Sequence, residues 1–231
     1  MDGPFLFVSG TGTEIGKTVA TAAIAATARA AGRSVAVLKP AQTGLTAGHP
    51  GDVAEVTRLA GPLTGVELAR YPDPLAPATA ARRAGLPPVG PAEVAKAAEA
   101  LAEDHDLVLV EGAGGLLVWF DESGNTLADA ASRLDAPVLV VTTAGLGTLN
   151  ATALTTEALR ARRLACPGVL IGGWPAAPDL AARCNLDDLP SVAQAPLLGA
   201  LPDGAAALPP NAFRRRAPGW LAPALGGTRG R

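Results

Sequence analysis

The 231-residue chain carries a formal charge of −2, with 48% hydrophobic and only 3% aromatic residues. That suits one α/β domain spanning 1–231 with a core of Ala, Val and Leu, and the near-neutral balance excludes the basic footprint of a nucleic-acid binder. The start, Met1-Asp2-Gly3-Pro4, lacks a basic leader, and the uncharged stretch 136–156 is broken by Gly145, Gly147, threonines and Asn150. A cytoplasmic protein with no membrane span is therefore expected.

The first apolar run, Phe5-Leu6-Phe7-Val8, predicts a strand that leads into Ser9-Gly10-Thr11-Gly12-Thr13-Glu14-Ile15-Gly16-Lys17-Thr18. An Ala-rich helix follows over 17–31, closed by Gly32. Strand, glycine-rich turn ending in Gly-Lys-Thr, then helix is the layout of a phosphate-binding loop. Gly10, Gly12 and Gly16 let the backbone curl its N–H groups toward an anion, and the helix N-terminus adds partial positive charge. Lys17 reaches the outer phosphates and the Thr18 hydroxyl can ligate magnesium. The usual spacing requires glycine at position 11, where this chain has Thr11. Gly10 lies one residue early, so the loop is a lengthened variant.

Residues 34–38 read as a buried strand ending at Lys39-Pro40, followed by a loop over 41–51 and a helix from Asp52 to about 60. The middle, 68–91, is proline-rich with one helix near 78–84, and a further helix is expected over 91–103. The run 106–111 is a strand ending in Glu111, before Gly112-Ala113-Gly114-Gly115. A short helix over 126–134 and a strand over 137–142 precede a second glycine turn, Gly145-Leu146-Gly147-Thr148-Leu149-Asn150, which opens a helix ending near 163. A strand over 169–171 runs into Gly172-Gly173-Trp174-Pro175; a helix over 180–186 and a strand over 197–201 follow. The tail from Pro209 is rich in proline and glycine and is assigned little regular structure, with Arg214-Arg215-Arg216 as a solvated patch. The βα alternation predicts a doubly wound, mostly parallel sheet, in which ligands gather at the carboxyl ends of strands.

Three residues carry chemistry beyond the loop. Glu111 caps four consecutive apolar residues, a position that costs several kcal/mol without a partner. It either bonds to neighbouring backbone or arginine, or stands on the magnesium side of a nucleotide. Lys39 is one of only three lysines against 16 arginines, the others being Lys17 and Lys96. It either snorkels to solvent or fixes a positive charge beside phosphates, stabilising charge that develops in phosphoryl transfer. Asp52 opens a helix, and N-capping alone would explain it. Cys166 and Cys184 form no CxxC, and His49 and His105 are assigned no chemistry.

Gly-Thr-Gly-Thr-Glu-Ile-Gly-Lys-Thr (10–18), Lys39-Pro40 with Gln42-Thr43-Gly44, Val110-Glu111-Gly112-Ala113-Gly114-Gly115, and Leu146-Gly147-Thr148-Leu149-Asn150 together resemble the dethiobiotin synthetase family. Pro196-Leu197-Leu198-Gly199 before Leu201-Pro202 fits the family's last strand. The resemblance implies a homodimeric ligase dependent on ATP and Mg2+. Such an enzyme converts 7,8-diaminononanoate and carbon dioxide to a cyclic urea through a carbamate and a carbamic-phosphoric anhydride.

Carried over by position, Thr18, Asp52 and Glu111 would hold magnesium. Lys17, Lys39 and Thr13 would be catalytic, with Thr13, Lys39, Thr43 and Gly114 facing the carbamate. Gly12, Thr13, Glu14, Ile15, Gly16, Lys17, Thr18, Val19, Glu111, Gly172, Trp174 and Pro202 would bind nucleotide. The turn Gly147, Thr148, Leu149 and Asn150 would receive the substrate's distal carboxylate from the partner subunit.

Two positions depart from the family pattern. Ala151 stands where the family usually has histidine, and Gly172-Gly173-Trp174-Pro175 replaces a stretch with an adenine-reading asparagine. Base selectivity is therefore in doubt, and other nucleoside triphosphates are admitted beside ATP. The competing reading is a switch ATPase of the deviant phosphate-loop class, which carries lysine early in its loop; here that position is Gly12.

Overall fold

A computed structural model describes residues 3–230. Seven parallel strands form one sheet in the order β3-β2-β4-β1-β5-β6-β7. They are β1 (Phe5–Gly10), β2 (Val35–Thr43), β3 (Thr64–Tyr71), β4 (Leu107–Glu111), β5 (Val138–Thr142), β6 (Val169–Trp174) and β7 (Leu197–Pro202). Among the described residues eight α-helices accompany them: α1 (Lys17–Ala30), α2 (Asp52–Ala60), α3 (Pro77–Ala84), α4 (Pro91–Ala102), α5 (Leu127–Arg133), α6 (Thr148–Ala161), α7 (Leu180–Ala193) and α8 (Pro210–Arg216).

Alternation along the central strands divides the core. Leu6 and Val8 of β1 face a layer made by α1, α2 and α8, whereas Phe7 faces the layer of α3 to α7. Both faces are covered, which is why the inner strands read as unbroken apolar runs rather than alternating ones. The alanines of α1 let that helix lie close to the sheet: Ala20, Ala22, Ala23 and Ala25 are fully buried. Strand β1 sits between β4 and β5, so the phosphate loop emerges at the middle of the carboxyl edge.

Four expectations from sequence change. A seventh strand, β3, occupies the edge beside β2, where no strand is predicted. Strand β2 runs on through Pro40 to Thr43 instead of ending at Lys39, so the segment 41–43 is strand rather than loop. Pro40 lies past the last β2–β4 pair, Leu38 with Val110, where an inner ladder no longer needs its missing N–H. Helix α7 continues to Ala193 with Pro190 inside it, well beyond 186. The tail is ordered: α8 and two short 3-10 turns pack against α1 and α2, Phe213 and Leu221 are fully buried, and Gly199 bridges Leu221.

Candidate active site

The loop begins where β1 ends. Thr11 N–H still bonds the Val141 carbonyl at 3.0 Å, after which the chain curls. Glu14 and Gly16 take left-handed backbone at φ 57° and 91°. A Cβ on Gly10 would lie 2.4 Å from Ile15 Cδ1, so the extra loop residue is accommodated by folding Ile15 back over a glycine. Gly16 caps α1 without a side-chain bond, which leaves the first N–H groups free for an anion. Lys17 Nζ donates to its own loop at Gly12 O, 2.6 Å away.

Neighbouring strands bring the remaining charges together. Leu38 of β2 pairs with Val110 of β4, so the next residues along the two strands, Lys39 and Glu111, stand side by side. Lys39 Nζ contacts Asp52 Oδ2 at 2.5 Å, Glu111 Oε1 at 2.9 Å and Gly112 O at 2.9 Å. Three oxygens match its three protons. At 3% exposure Lys39 does not snorkel.

Asp52 is the first residue of α2 rather than its cap, which is Gly51, and its carboxylate faces Lys39. Burial alone would lower the Lys39 pKa; the Glu111 and Asp52 carboxylates outweigh it and raise the pKa above its ordinary 10.5. Lys17, desolvated and repelled by Lys39, falls to about 8.

Thr18 Oγ1 donates to Glu111 Oε1 at 2.8 Å. The other carboxylate oxygen, Glu111 Oε2, is buried without a hydrogen-bond partner among the described residues. A buried carboxylate oxygen left unpaired is costly and fits a cation that the protein alone does not supply. Among the described residues no three His, Cys, Asp or Glu side chains cluster to hold a metal ion. One hydroxyl and two carboxylates, from Thr18, Asp52 and Glu111, are a donor set of the kind magnesium takes, its shell being completed by water and phosphate.

These residues line a cleft of about 730 Å³ together with Thr13, Glu14, Ile15, Gly16, Thr43 and Gly114. Thr13 Oγ1 lies 3.6 Å from where a Cβ on Gly114 would sit. Gly12 serves through its carbonyl, and Val19 packs against the core instead of lining the cleft. Gly172 lies behind the loop, its carbonyl 2.4 Å from where a Cβ on Gly16 would sit. Trp174 pairs with Pro202 across β6 and β7. The turn Gly147, Thr148, Leu149 and Asn150 also stands apart from the cleft lining, at the start of α6.

Sequence reasoning gave no role to Gln42, whose Oε1 accepts the Asp52 N–H at 2.8 Å and so sets the start of α2. It also missed the wall formed by Pro74, Leu75, Ala76 and Pro77, signalled only by its two prolines.

The sequence pattern of a family described as an AAA domain matches residues 5–210. The ATP-dependent dethiobiotin synthetase of Streptomyces avermitilis is 70% identical over 96% of this chain and 94% of that protein. Its namesake in Saccharopolyspora erythraea is 71% identical over 96% and 97%, and that of Mycobacteroides abscessus 49% over 94% and 97%. Among solved structures, the cell division ATPase MinD of Pyrococcus furiosus aligns with a TM-score of 0.56 at 19% identity, over 93% of this chain and 97% of that one. A ParA family ATPase of Chlorobium tepidum gives 0.58 at 13% over 98% and 97%. At those identities the structural likeness speaks for the fold alone.

Proposed function

The chain belongs to the ATP-dependent dethiobiotin synthetases, and on that premise we propose how its cleft divides the work. One amine of 7,8-diaminononanoate takes up carbon dioxide as a carbamate. The carbamate oxygen attacks the γ-phosphorus of ATP, giving a carbamic-phosphoric anhydride and ADP. The second amine then attacks the carbonyl carbon, closing the ureido ring and expelling inorganic phosphate.

Lys17 and the free N–H groups of the loop and the α1 N-terminus hold the phosphates. Thr18, Asp52 and Glu111 would hold magnesium, which when bound neutralises phosphate charge. Lys39 then stands beside the transferring phosphoryl group with its ammonium fixed by β2, and Thr13, Thr43 and Gly114 border the carbamate. The observation that carries this reading is the Lys39–Glu111 pair at 2.9 Å with Glu111 Oε2 unpartnered beside the phosphate loop.

The Gly147–Asn150 turn would take the distal carboxylate of a substrate bound in a partner subunit, through N–H groups that no side chain caps. A homodimer is supported by Leu146, Leu154 and Leu180, which are 91%, 59% and 69% exposed around α6 and α7. No described helix is long and apolar enough to cross a membrane.

The test is a product assay with diaminononanoate, bicarbonate, magnesium and ATP. Dethiobiotin should form with one phosphate released per ring. Phosphate release that ignores diaminononanoate contradicts the reading and favours a switch ATPase.

A further inference from the structure

A group of buried threonines lies outside the cleft and takes no part in the chemistry above. Thr142 ends β5 and is fully buried; Thr148 and Thr152 stand four residues apart on the inner face of α6, also buried. Thr142 Oγ1 lies 2.6 Å from Thr148 Oγ1, 2.8 Å from Thr152 Oγ1 and 3.4 Å from Thr11 Oγ1 of the phosphate loop. Thr148 Oγ1 also lies 2.7 Å from the Thr143 carbonyl.

Each hydroxyl has one proton and two acceptor sites, so the pattern has one solution. A carbonyl cannot donate, so Thr148 gives its proton to Thr143. Thr142 must then donate to Thr148, and both Thr152 and Thr11 must donate to Thr142. The Thr142 hydroxyl is thereby saturated, with one bond given and two received. No other proton arrangement makes all four contacts hydrogen bonds.

The same turn is held from a second side. Asn185 of α7, also buried, donates Nδ2 to the carbonyls of Ala144 at 2.7 Å and Gly145 at 3.1 Å. The turn has little else to fix it. Gly147 caps α6 without a side-chain bond, a Cβ on Gly145 or Gly147 would touch nothing, and Leu146 is nearly fully exposed. Both clamps grip the turn through hydroxyls and carbonyls and leave N–H groups at the α6 N-terminus unclaimed.

We propose that Thr142 and Asn185 are positioning residues that hold the 145–150 turn in one conformation, so that its N–H groups meet the distal carboxylate of the amine substrate bound in the partner subunit. This rests on the reading that the turn receives that carboxylate. The carboxylate is remote from the reacting amines, so its contact is equally strong in the ground and transition states. Losing its alignment should appear in the KM for diaminononanoate rather than in kcat.

The experiment compares Thr142→Val, Thr142→Ser and Asn185→Asp with the wild-type enzyme. It measures steady-state kinetics, nucleotide affinity and amide hydrogen exchange over 145–150. Valine keeps the shape of Thr142 and removes the hydroxyl; aspartate keeps the shape of Asn185 and removes both donors. Thr142→Val and Asn185→Asp should raise KM for diaminononanoate about tenfold, as for one misaligned charge-assisted bond, with kcat within about threefold. Nucleotide affinity should stay unchanged and exchange over 145–150 should quicken. Thr142→Ser, which retains the hydroxyl, should restore KM and protection. Unchanged exchange in both variants overturns the clamp itself. Quickened exchange with unchanged KM overturns the proposal at its other joint, the placement of the carboxylate on this turn.

Discussion

On the cleft side of the phosphate loop, Lys17, Lys39, Asp52 and Glu111 converge, and Lys39 is caught between two carboxylates. On the opposite side, where β6 and β7 end, the loop meets almost nothing but backbone. A Cβ on Gly172 would lie 1.9 Å from the Ile15 carbonyl, so β6 presses directly against the loop and leaves no space for a side chain. Trp174 leans on the core layer that includes α7, and its carbonyl accepts the Asp203 N–H at 2.8 Å. The difference teaches how the binding is divided. On the proposed reading the cleft side recognises by charge, at the cost of desolvating ions, whereas the far side supports the loop by close packing.

The comparison breaks most sharply at Lys39. Lys39→Ala should lower kcat by about a hundredfold or more, the range for removing a preorganised electrostatic donor, while nucleotide affinity changes only a few-fold. Near-normal turnover in this variant returns Lys39 to a structural role as the partner of Glu111. Single-turnover phosphate release together with nucleotide titration separates the two.

Lys17 sharpens the comparison through pH. Its pKa near 8 in the nucleotide-free protein is set by burial first and by Lys39 second. Bound phosphates need the ammonium, so nucleotide affinity should be insensitive to this group below pH 8. Above it, affinity should fall by about tenfold per pH unit until the bound-state pKa is reached. Stability runs the other way. A base whose folded pKa is lowered from 10.5 to about 8 destabilises the fold fully below pH 8. The penalty, about 3 kcal/mol, fades as pH rises toward 10.5. Lys17→Met should therefore raise the Tm of the nucleotide-free protein at pH 7 while it abolishes the pH dependence of binding. A lowered Tm would mean that the bond to Gly12 outweighs the buried charge.

A smaller effect concerns the metal. The Lys39 ammonium and a divalent ion draw on the same Glu111 and Asp52 oxygens. In Lys39→Met the two carboxylates lose their internal cation, and Mn2+ should bind the nucleotide-free protein about tenfold more tightly, by loss of a competing charge. Calorimetry or the manganese resonance signal measures this without turnover. Weaker or equal binding would show that the ammonium and the metal do not share these oxygens.

The cleft side was also the legible side. Lysine, glutamate and glycine stand at or near the ends of apolar strand runs, where local propensity gives them no reason to be, and those breaks stand out in the sequence. Edge strand β3 left no such mark: Glu67 and Arg70 pair with each other on it at 2.6 Å, and most of its side chains are only half-buried, so its pattern is not that of an inner strand. The tail is ordered by long-range packing, Phe213 meeting Trp220 edge-to-face at 5.2 Å and Leu221 bridging Gly199, none of which is encoded within the proline- and glycine-rich segment itself. Thr142 and Gln42 were silent for a third reason. Threonine ending a strand and glutamine within one are ordinary residues there, and their roles exist only through partners on other elements.

The smallest effect tests the far side. An asparagine amide at a strand end can give adenine both a donor and an acceptor, but the strand after Ile171 continues as Gly172-Gly173-Trp174-Pro175. Gly172 cannot bear a side chain while Ile15 keeps its place, Trp174 has only an N–H donor, and Pro175 has no backbone N–H. A Cβ on Gly173 would meet Asp203 Oδ1 at 2.4 Å, so a carboxylate lies close by, just past the end of β7. A carboxylate can receive the exocyclic amine of adenine or of cytosine alike. On the reading proposed above, the phosphates, held by Lys17 and the loop N–H groups, supply most of the affinity. GTP, CTP and UTP should support ring closure with kcat/KM within about tenfold of ATP, or roughly 1.4 kcal/mol. Parallel assays of the four nucleotides decide it. A preference for ATP above about a hundredfold, roughly 2.7 kcal/mol, requires that adenine be read by backbone groups at 172–174 or by residues near Pro202.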